Sequence, residues 1–239
     1  MEKPDWEIFR EYVTWFPGPR ESAVLQITNS SSGKLFVPTS KFRTRYPKLT
    51  KLLSRSRIST IDIDGEEFYL YTWPTFEGRR CGWLCEPPAI TPPAILYADH
   101  RVLLECWGGG VESFNQPKKT WIMNLNWWLS GRKSGPLSTG EIADYRSYVA
   151  KTLRKPDCPF IQDLDFLINF AQEANGNFTA YNRSNGAVVM FAPDHCFKHV
   201  ETVAECPPYS FYHIQGAPTL ADWVEQTADQ WLQNVTASE

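Results

Sequence analysis

Two cysteines four positions apart and a later cluster of histidine and cysteine are the residues best suited to bind a metal. The first pair is Cys81 and Cys85, and the second group is His195, Cys196 and His199. Thiolates and imidazoles are the usual ligands of structural zinc. Such sites use tighter paired spacings, however, and nothing in the sequence brings the two halves together. We therefore expect buried thiols and surface imidazoles, with no metal and no cofactor.

Signals for covalent or acid–base catalysis are weak. The sequence has no Gly-x-Ser-x-Gly elbow, and a Cys–His pair would have to be assembled in space, which spacing alone cannot show. Asp99-His100 lies in a predicted helix of core residues, where we expect a capping or surface role. Gly108-Gly109-Gly110 follows that helix and lacks the Lys-Ser/Thr ending of a phosphate loop, so it predicts a helix stop and a tight turn. We expect a protein that is not an enzyme and has no catalytic residues.

Charge is distributed unevenly along the chain. The net charge is −3, of which residues 1–156 contribute +6 and residues 157–239 contribute −9. The basic stretch 41–57 interleaves Phe42 and Tyr46 with arginines, a pattern suited to base stacking. The same apolar spacing also fits an amphipathic element with a solvated basic face, and the acidic chain as a whole disfavours nucleic acid. The acidic final third favours a basic partner.

Acidic residues gather around a predicted hairpin near Asn175-Gly176-Asn177. They form no recognisable general acid–base pair. We expect Glu173, Asp194, Glu201 and Glu205 to contact a partner, because they surround the hairpin in a region with very few basic residues.

Apolar periodicity and turn residues predict an α+β fold. Helices are predicted at 5–16, 94–107, 142–153, 163–174 and 219–235, with capping pairs at Ser138/Glu141 and Thr219/Asp222. Further helical spacing at 42–53 is interrupted by Pro47. Hairpins are predicted for 23–28 with 34–38, for 57–73 through Asp64-Gly65, and for 177–182 with 186–191 through Asn185-Gly186; further strands are predicted at 120–129 and 209–214.

The length and composition are those of an ordinary globular protein, with 239 residues and 42% hydrophobic side chains. Four prolines in 85–93 predict a boundary between residues 1–84, an N-terminal α+β extension or small subdomain, and residues 85–239. The sequence contains no apolar run long enough to span a membrane, and its N-terminus lacks the apolar core of a signal peptide. We therefore expect a cytoplasmic protein with reduced thiols.

Three stretches of the sequence resemble the SUKH superfamily. They are "PPAILYADHRVLLECWGGGVESF" (92–114), "FLINFAQEANGNFTAYNRSNGAVVMFAPDH" (166–195) and "APTLADWVEQTADQWL" (217–232). In the second stretch the matching positions are Phe170, Ala171, Gly176, Asn177, Gly186, Val188, Asp194 and His195. The resemblance covers about residues 85–235, while residues 1–84 have no counterpart in the family. Trp107-Gly108-Gly109 stands where the family usually has Asn-Gly.

The resemblance implies a curved antiparallel sheet flanked by helices and a function without catalysis. Many bacterial members of the superfamily resemble immunity proteins of polymorphic toxin systems, which bind and block a toxin that is often a nuclease. Fungal relatives regulate cell-wall synthesis through protein contacts. We expect an immunity protein that neutralises a cognate, basic toxin, with a regulatory scaffold of the same fold as the alternative. An enzyme built on Cys81, Cys85, His195 and His199 is a third alternative, and nucleic-acid binding through residues 41–57 is a fourth.

Overall fold

A computed structural model describes residues 3–16, 27–30, 34–117, 125–154, 159–173, 175–194 and 198–237. These residues form an α+β fold. The helices are α1 (Asp5–Tyr12), α2 (Ser40–Arg45), α3 (Pro47–Leu53), α4 (Ala98–Leu104), α5 (Thr139–Ser147) and α6 (Leu220–Leu232). A π-helical turn (Tyr148–Thr152) continues α5, and a 3₁₀ helix (Pro159–Phe166) precedes the central strands.

The strands form one antiparallel sheet. They are β1 (Ile27–Ser30), β2 (Arg57–Ile63), β3 (Glu66–Pro74), β4 (Arg80–Cys85), β5 (Gly110–Phe114), β6 (Leu125–Trp128), β7 (Gly135–Pro136), β8 (Leu167–Glu173), β9 (Phe178–Asn182), β10 (Val188–Phe191), β11 (Val200–Thr202) and β12 (Phe211–Ile214). Their spatial order is β1-β2-β3-β4-β5-β6-β8-β9-β10-β12-β11, and β7 pairs with β8 beside β6. Among the described residues, β1 and β11 are therefore the outer strands.

Alternating side chains bury both faces of the sheet. On one face, Tyr71, Trp83 and Met190 pack in a core that includes the buried sides of α2, α3, α4 and α6. The opposite face has two clusters: α1 covers β2–β5, and α5 covers the far end at β8–β12. Strands with two buried faces show little of the alternation that marks a half-exposed strand.

Local turn and cap signals are confirmed. Asp64 and Gly65 both have positive φ, +54° and +82°, and close the β2–β3 hairpin as a two-residue turn. The capping boxes of Ser138 with Glu141 and of Thr219 with Asp222 both form. Pro47 begins α3 at its first turn and so separates α2 from α3.

The predicted helix at 163–174 is wrong. Leu164, Leu167, Ile168 and Ala171 have helical spacing, but the chain forms the 3₁₀ helix up to Phe166 and then β8. Ile168 and Ala171 face the main core while Leu167 faces the opposite cluster, with a register shift between Asn169 and Ala171. A strand that is buried on both faces and shifted by a bulge reproduces the apolar spacing of a helix.

Other elements differ from their predicted extents. Residues 34–38 form no strand, and β1 pairs with β2 instead, with Ile27 opposite Ile63. Residues 23–26 of the predicted first strand and residues 120–124 of another lie outside the described residues. The predicted helix at 94–107 is shorter, at Ala98–Leu104. The strands on either side of the proline-rich stretch 85–93 belong to one sheet, because β4 pairs with β5.

Candidate functional site

The four acidic residues expected to contact a partner occupy different environments. Asp194, which follows β10, Glu201 on β11 and Glu205 in the β11–β12 loop are exposed. Glu173, at the end of β8, is only 7% exposed, and Asn177 Nδ2 donates to its carboxylate at 3.4 Å. Glu173 therefore stabilises the turn from within and offers no exposed carboxylate to a partner.

The Asn175-Gly176-Asn177 stretch is a hairpin turn between β8 and β9, and not the end of a helix. Gly176 has the predicted positive φ, +89°, and the Glu173 N–H donates to the Asn177 carbonyl at 2.8 Å. Asn175 Nδ2 donates to Asp194 Oδ2 at 2.7 Å, and Asn175 Oδ1 accepts from the Asn177 N–H at 3.2 Å. Asn175 thus links the β8–β9 turn to the segment after β10.

Strand register places these acids at one end of the sheet. Phe178 lies opposite Phe191, and Phe191 lies opposite Phe211. The β8–β9 turn, Asp194 and the β11–β12 loop are therefore neighbours at the same strand ends. We call Asp194, Glu201, Glu205 and Tyr209 the acidic sheet end.

The β11–β12 loop is held in a defined conformation. The Cys206 N–H donates to the Val203 carbonyl at 2.8 Å, and Ser210 Oγ donates to the Pro207 carbonyl at 2.6 Å. Glu205 has φ +64°, a left-handed value that is uncommon for residues other than glycine. Strained conformations of this kind concentrate at binding and switch loops.

Tyr209 is the residue of this site that the sequence analysis missed. It too has φ +64°, and the residue is 45% exposed. Its carbonyl accepts from Tyr148 Oη at 2.9 Å, and its N–H donates to Tyr212 Oη at 2.5 Å. Tyrosine is enriched at protein interfaces, and the Pro-Pro that precedes it was the available signal for an ordered, exposed loop.

Glu201 and Glu205 form no ion pair within the described part of the chain. Glu201 lies opposite His213, accepts from Gln215 Nε2 at 2.8 Å and is exposed. Lys198 is the neighbouring exposed lysine along the chain. The negative potential of this surface is available to a basic partner.

The acids of α6, by contrast, are used inside the molecule. Glu225 accepts from the N–H groups of Lys48 and Leu49, at 2.9 and 3.1 Å, and so caps the first turn of α3. Asp229 pairs with Lys48 Nζ at 3.2 Å. Glu225 and Asp229 therefore hold α6 against α3 and do not form part of the acidic sheet end.

The basic stretch 41–57 forms α2, α3 and the start of β2. Phe42 and Tyr46 are fully buried in the main core, so neither ring is available to stack on a base. Arg45 pairs with Asp99, which draws one positive charge into an internal contact. Lys41 and Lys51 remain exposed. This stretch is therefore amphipathic, with its aromatic side chains in the core and basic side chains at the surface.

The cysteines proposed as metal ligands are buried thiols. Cys81 and Cys85 are both fully buried on β4, and burial raises the pKa of Cys81 to about 12 and that of Cys85 well above its usual value. Zinc needs the deprotonated thiolate. Across the described residues no group of three or more His, Cys, Asp and Glu side chains could hold a metal ion. His195 and Cys196 lie outside the described residues.

His100 is buried, and the expectation of a capping or surface role is wrong for it. Its Nε2 lies 3.1 Å from the Leu129 carbonyl, which can only accept, so Nε2 carries the proton. Tyr181 Oη then donates to Nδ1 at 3.0 Å, and the Tyr97 N–H donates to Tyr181 Oη at 3.3 Å. Burial lowers the pKa of His100 to about 4, so this chain of bonds holds a neutral imidazole.

We expect His100 to make the protein sensitive to acid. Its pKa is about 4 in the folded protein and has the ordinary histidine value of 6.5 in the unfolded chain, so the unfolded chain binds more protons between these values. The free energy of unfolding therefore falls as pH drops from 6.5 towards 4, by about 3 kcal/mol from this group. The measurement is urea unfolding of wild type and His100→Gln across this range.

The difference between the two proteins isolates the histidine. Burial raises the pKa of Glu86, Glu112 and Glu225, which gives stability the opposite pH dependence, but these carboxyls are present in both proteins. We expect the advantage of wild type over His100→Gln to shrink as the pH falls. A difference that stays constant between pH 7 and pH 4 would contradict a neutral buried His100.

Two buried carboxylates serve as structural anchors. Glu86 is 4% exposed and accepts from Ser130 Oγ at 2.7 Å and from the Arg132 N–H at 3.3 Å. Glu112 is 8% exposed and accepts from Trp15 Nε1 at 2.9 Å. Both carboxylates hold loops against the sheet.

A groove of about 410 Å³ lies beside the β3–β4 turn. Its polar side chains already have partners: Asn115 Nδ2 donates to the Arg80 carbonyl at 2.6 Å, and Asn234 Nδ2 donates to the Gln230 carbonyl at 2.7 Å. Among the described lining residues, there are no convergent, unsatisfied polar groups of the kind that orient a small ligand. The acidic sheet end remains the stronger candidate site.

No protein-family model, curated protein or solved structure matches this chain. Within the described ranges, no helix has the length and apolar character needed to cross a membrane.

Proposed function

We propose that this chain is an immunity protein that binds a basic protein toxin through the acidic sheet end. The observation that carries the proposal is the concentration of exposed carboxylates, at Asp194, Glu201 and Glu205, on neighbouring strand ends. Complementary potentials of this kind set the association rate and partner choice of protein complexes.

The surrounding structure supports a role in contact. The β11–β12 loop is ordered by a hydrogen bond within it, from Ser210 to Pro207, and by one from Tyr148, so little conformational entropy would be lost when it docks. Tyr209 adds an exposed aromatic ring beside the carboxylates. The SUKH resemblance suggests a toxin as the partner and the cytoplasm as the place of action. A nuclease would fit, because its basic cleft for nucleic acid would meet carboxylates in place of phosphates.

The partner can be identified by capture with a matched control. A tagged wild-type chain and a Glu201→Lys/Glu205→Lys variant are used to capture proteins from the native host. We expect the wild-type chain to capture a basic protein that the variant does not retain. Expression of that protein alone should arrest growth, and co-expression of the wild-type chain should restore it. A retained partner without toxicity would indicate the regulatory scaffold instead.

We expect charge reversal at the acidic sheet end to slow association with that partner. Glu201→Lys/Glu205→Lys should lower the association rate at low salt by about tenfold or more, because electrostatic steering is lost. Stopped-flow or surface-binding kinetics at several salt concentrations measure the effect, which should shrink as salt rises.

The control is Glu67→Lys/Glu105→Lys, which changes two other exposed acids by the same charge. Glu67 lies on β3, at the other side of the sheet order. We expect this control to retain most of the wild-type rate. If both double variants lower the association rate equally, the net charge of the protein explains the effect, which would contradict a localised acidic site.

A further inference from the structure

The outer strand β11 leaves backbone groups open at the acidic sheet end. The Val203 N–H donates to the Phe211 carbonyl, and the Gln215 N–H donates to the His199 carbonyl. Hydrogen-bonded pairs alternate along an antiparallel ladder, so Glu201 makes the next pair, with His213. The N–H and C=O groups of Val200 and Thr202 therefore point away from the sheet.

No described backbone group pairs with these outward groups. The strand contains no proline and no bulge in its pairing with β12, which are common ways to block an edge. The protections that remain are the short length of three residues and the charges: Glu201 lies on the strand, Glu205 follows it in the loop, and Lys198 precedes it. Glutamates at the edge disfavour an acidic strand and favour a basic one.

We propose that the partner binds by adding a basic, extended segment to β11, with backbone hydrogen bonds to Val200 and Thr202. This inference rests on the proposed function and specifies how the partner is held. Strand addition takes its affinity from main-chain bonds and its specificity from side chains on the added strand. Lysine or arginine beside Glu201 would supply that specificity.

A second copy of this chain is a poorer occupant of the same edge. Two-fold antiparallel pairing of β11 with itself would place Val200 opposite Thr202 of the other copy and Glu201 opposite the other Glu201. Like charges directly opposite each other destabilise a sheet. Charge complementarity therefore favours a basic partner strand.

The test uses a synthetic peptide of alternating lysine and valine at millimolar concentration with the full chain. Hydrogen exchange of individual amides is followed by NMR. We expect the Val200 and Thr202 amides to exchange about tenfold more slowly with the peptide. The same peptide with alternate backbone nitrogens methylated, and a glutamate–valine peptide, should give no protection.

The protein variant that isolates the backbone is Thr202→Pro. It removes an outward N–H while leaving the bonds to β12, and edge positions of this kind tolerate proline. Thr202→Val is its control, because it changes the side chain and keeps the N–H. We expect Thr202→Pro to weaken peptide binding about tenfold or more and Thr202→Val to leave it nearly unchanged.

Three results would overturn strand addition. One is full-strength binding of the methylated peptide to the wild-type chain, or of the unmodified lysine–valine peptide to Thr202→Pro. Another is the absence of any protection at Val200 and Thr202 at millimolar peptide. The third is protection that grows with protein concentration alone, which would indicate self-association. The kinetics of Glu201→Lys/Glu205→Lys with the captured partner test the proposed function separately, so that function can stand while strand addition fails.

Discussion

Replacement of Trp83 by alanine is expected to lower the free energy of unfolding by about 3–5 kcal/mol. Trp83 lies on β4 and is 1% exposed. Its ring centroid lies 4.9 Å from that of Trp231 and 5.2 Å from that of Trp73. The ring centroids of Trp107 and Trp128 each lie 5.6 Å from that of Trp83. Trp83 thus joins the sheet to α6 and to the loop after α4, and its loss would leave a cavity among rigid rings.

Urea unfolding measures this effect, with near-ultraviolet circular dichroism as a second readout of tertiary packing. We expect the urea midpoint to fall and the near-ultraviolet signal to weaken, while the far-ultraviolet signal is retained. Trp83→Phe should have a smaller effect because it keeps an aromatic ring. Phe76→Ala is the exposed control, at 69% exposure, and should change stability by less than about 0.5 kcal/mol. A Trp83→Ala protein as stable as the Phe76→Ala protein would contradict the central position of this ring.

Gly109→Ala should also destabilise the fold, by about 3 kcal/mol or more. Gly109 has φ +87°, and a Cβ placed there would lie 2.3 Å from the carbonyl carbon and oxygen of Leu129. Leu129 is itself held with φ +57° and bonded to His100, so its backbone has little freedom to withdraw. A methyl group would therefore meet both an unfavourable backbone angle and a fixed neighbour.

The variant Gly176→Ala separates the cost of the positive φ from the cost of the steric clash. Gly176 has nearly the same φ, +89°, but nothing lies within 4 Å of its Cβ position. We expect Gly176→Ala to lower the free energy of unfolding by only about 1–2 kcal/mol, which is the cost of a positive φ for alanine. Thermal and urea unfolding of both variants supply the comparison. If the two variants lose equal stability, close packing against Leu129 is not what requires a glycine at 109.

Much of the local structure follows from short stretches of sequence. The Asp64-Gly65 turn and the capping boxes at Ser138 and Thr219 depend on residues within four positions, so neighbouring residues alone predict them. The apolar face of α6 was equally clear, since Leu220, Trp223, Val224, Thr227 and Trp231 are all buried as their spacing predicts.

The candidate site was only partly predictable. The excess of acid in the final third is a property of composition, and it pointed to Glu201 and Glu205. Composition does not show which carboxylates remain at the surface, and Glu173, in the same stretch, is buried beneath its own hairpin. Tyr209 was missed because its exposure depends on a hydrogen bond from Tyr148 to its carbonyl and on one from its own N–H to Tyr212.

The sequence by itself determined the α+β class, the turns, the caps and the uneven charge, because these depend on residue type and on neighbours along the chain. Only the tertiary structure decided that residues 167–173 form a strand, since burial on both faces comes from distant elements. It also decided that Glu225 caps α3 across 176 positions, which engages that carboxylate in a contact within the molecule. The acidic sheet end stays exposed, where the loops of neighbouring strands meet beside an open edge.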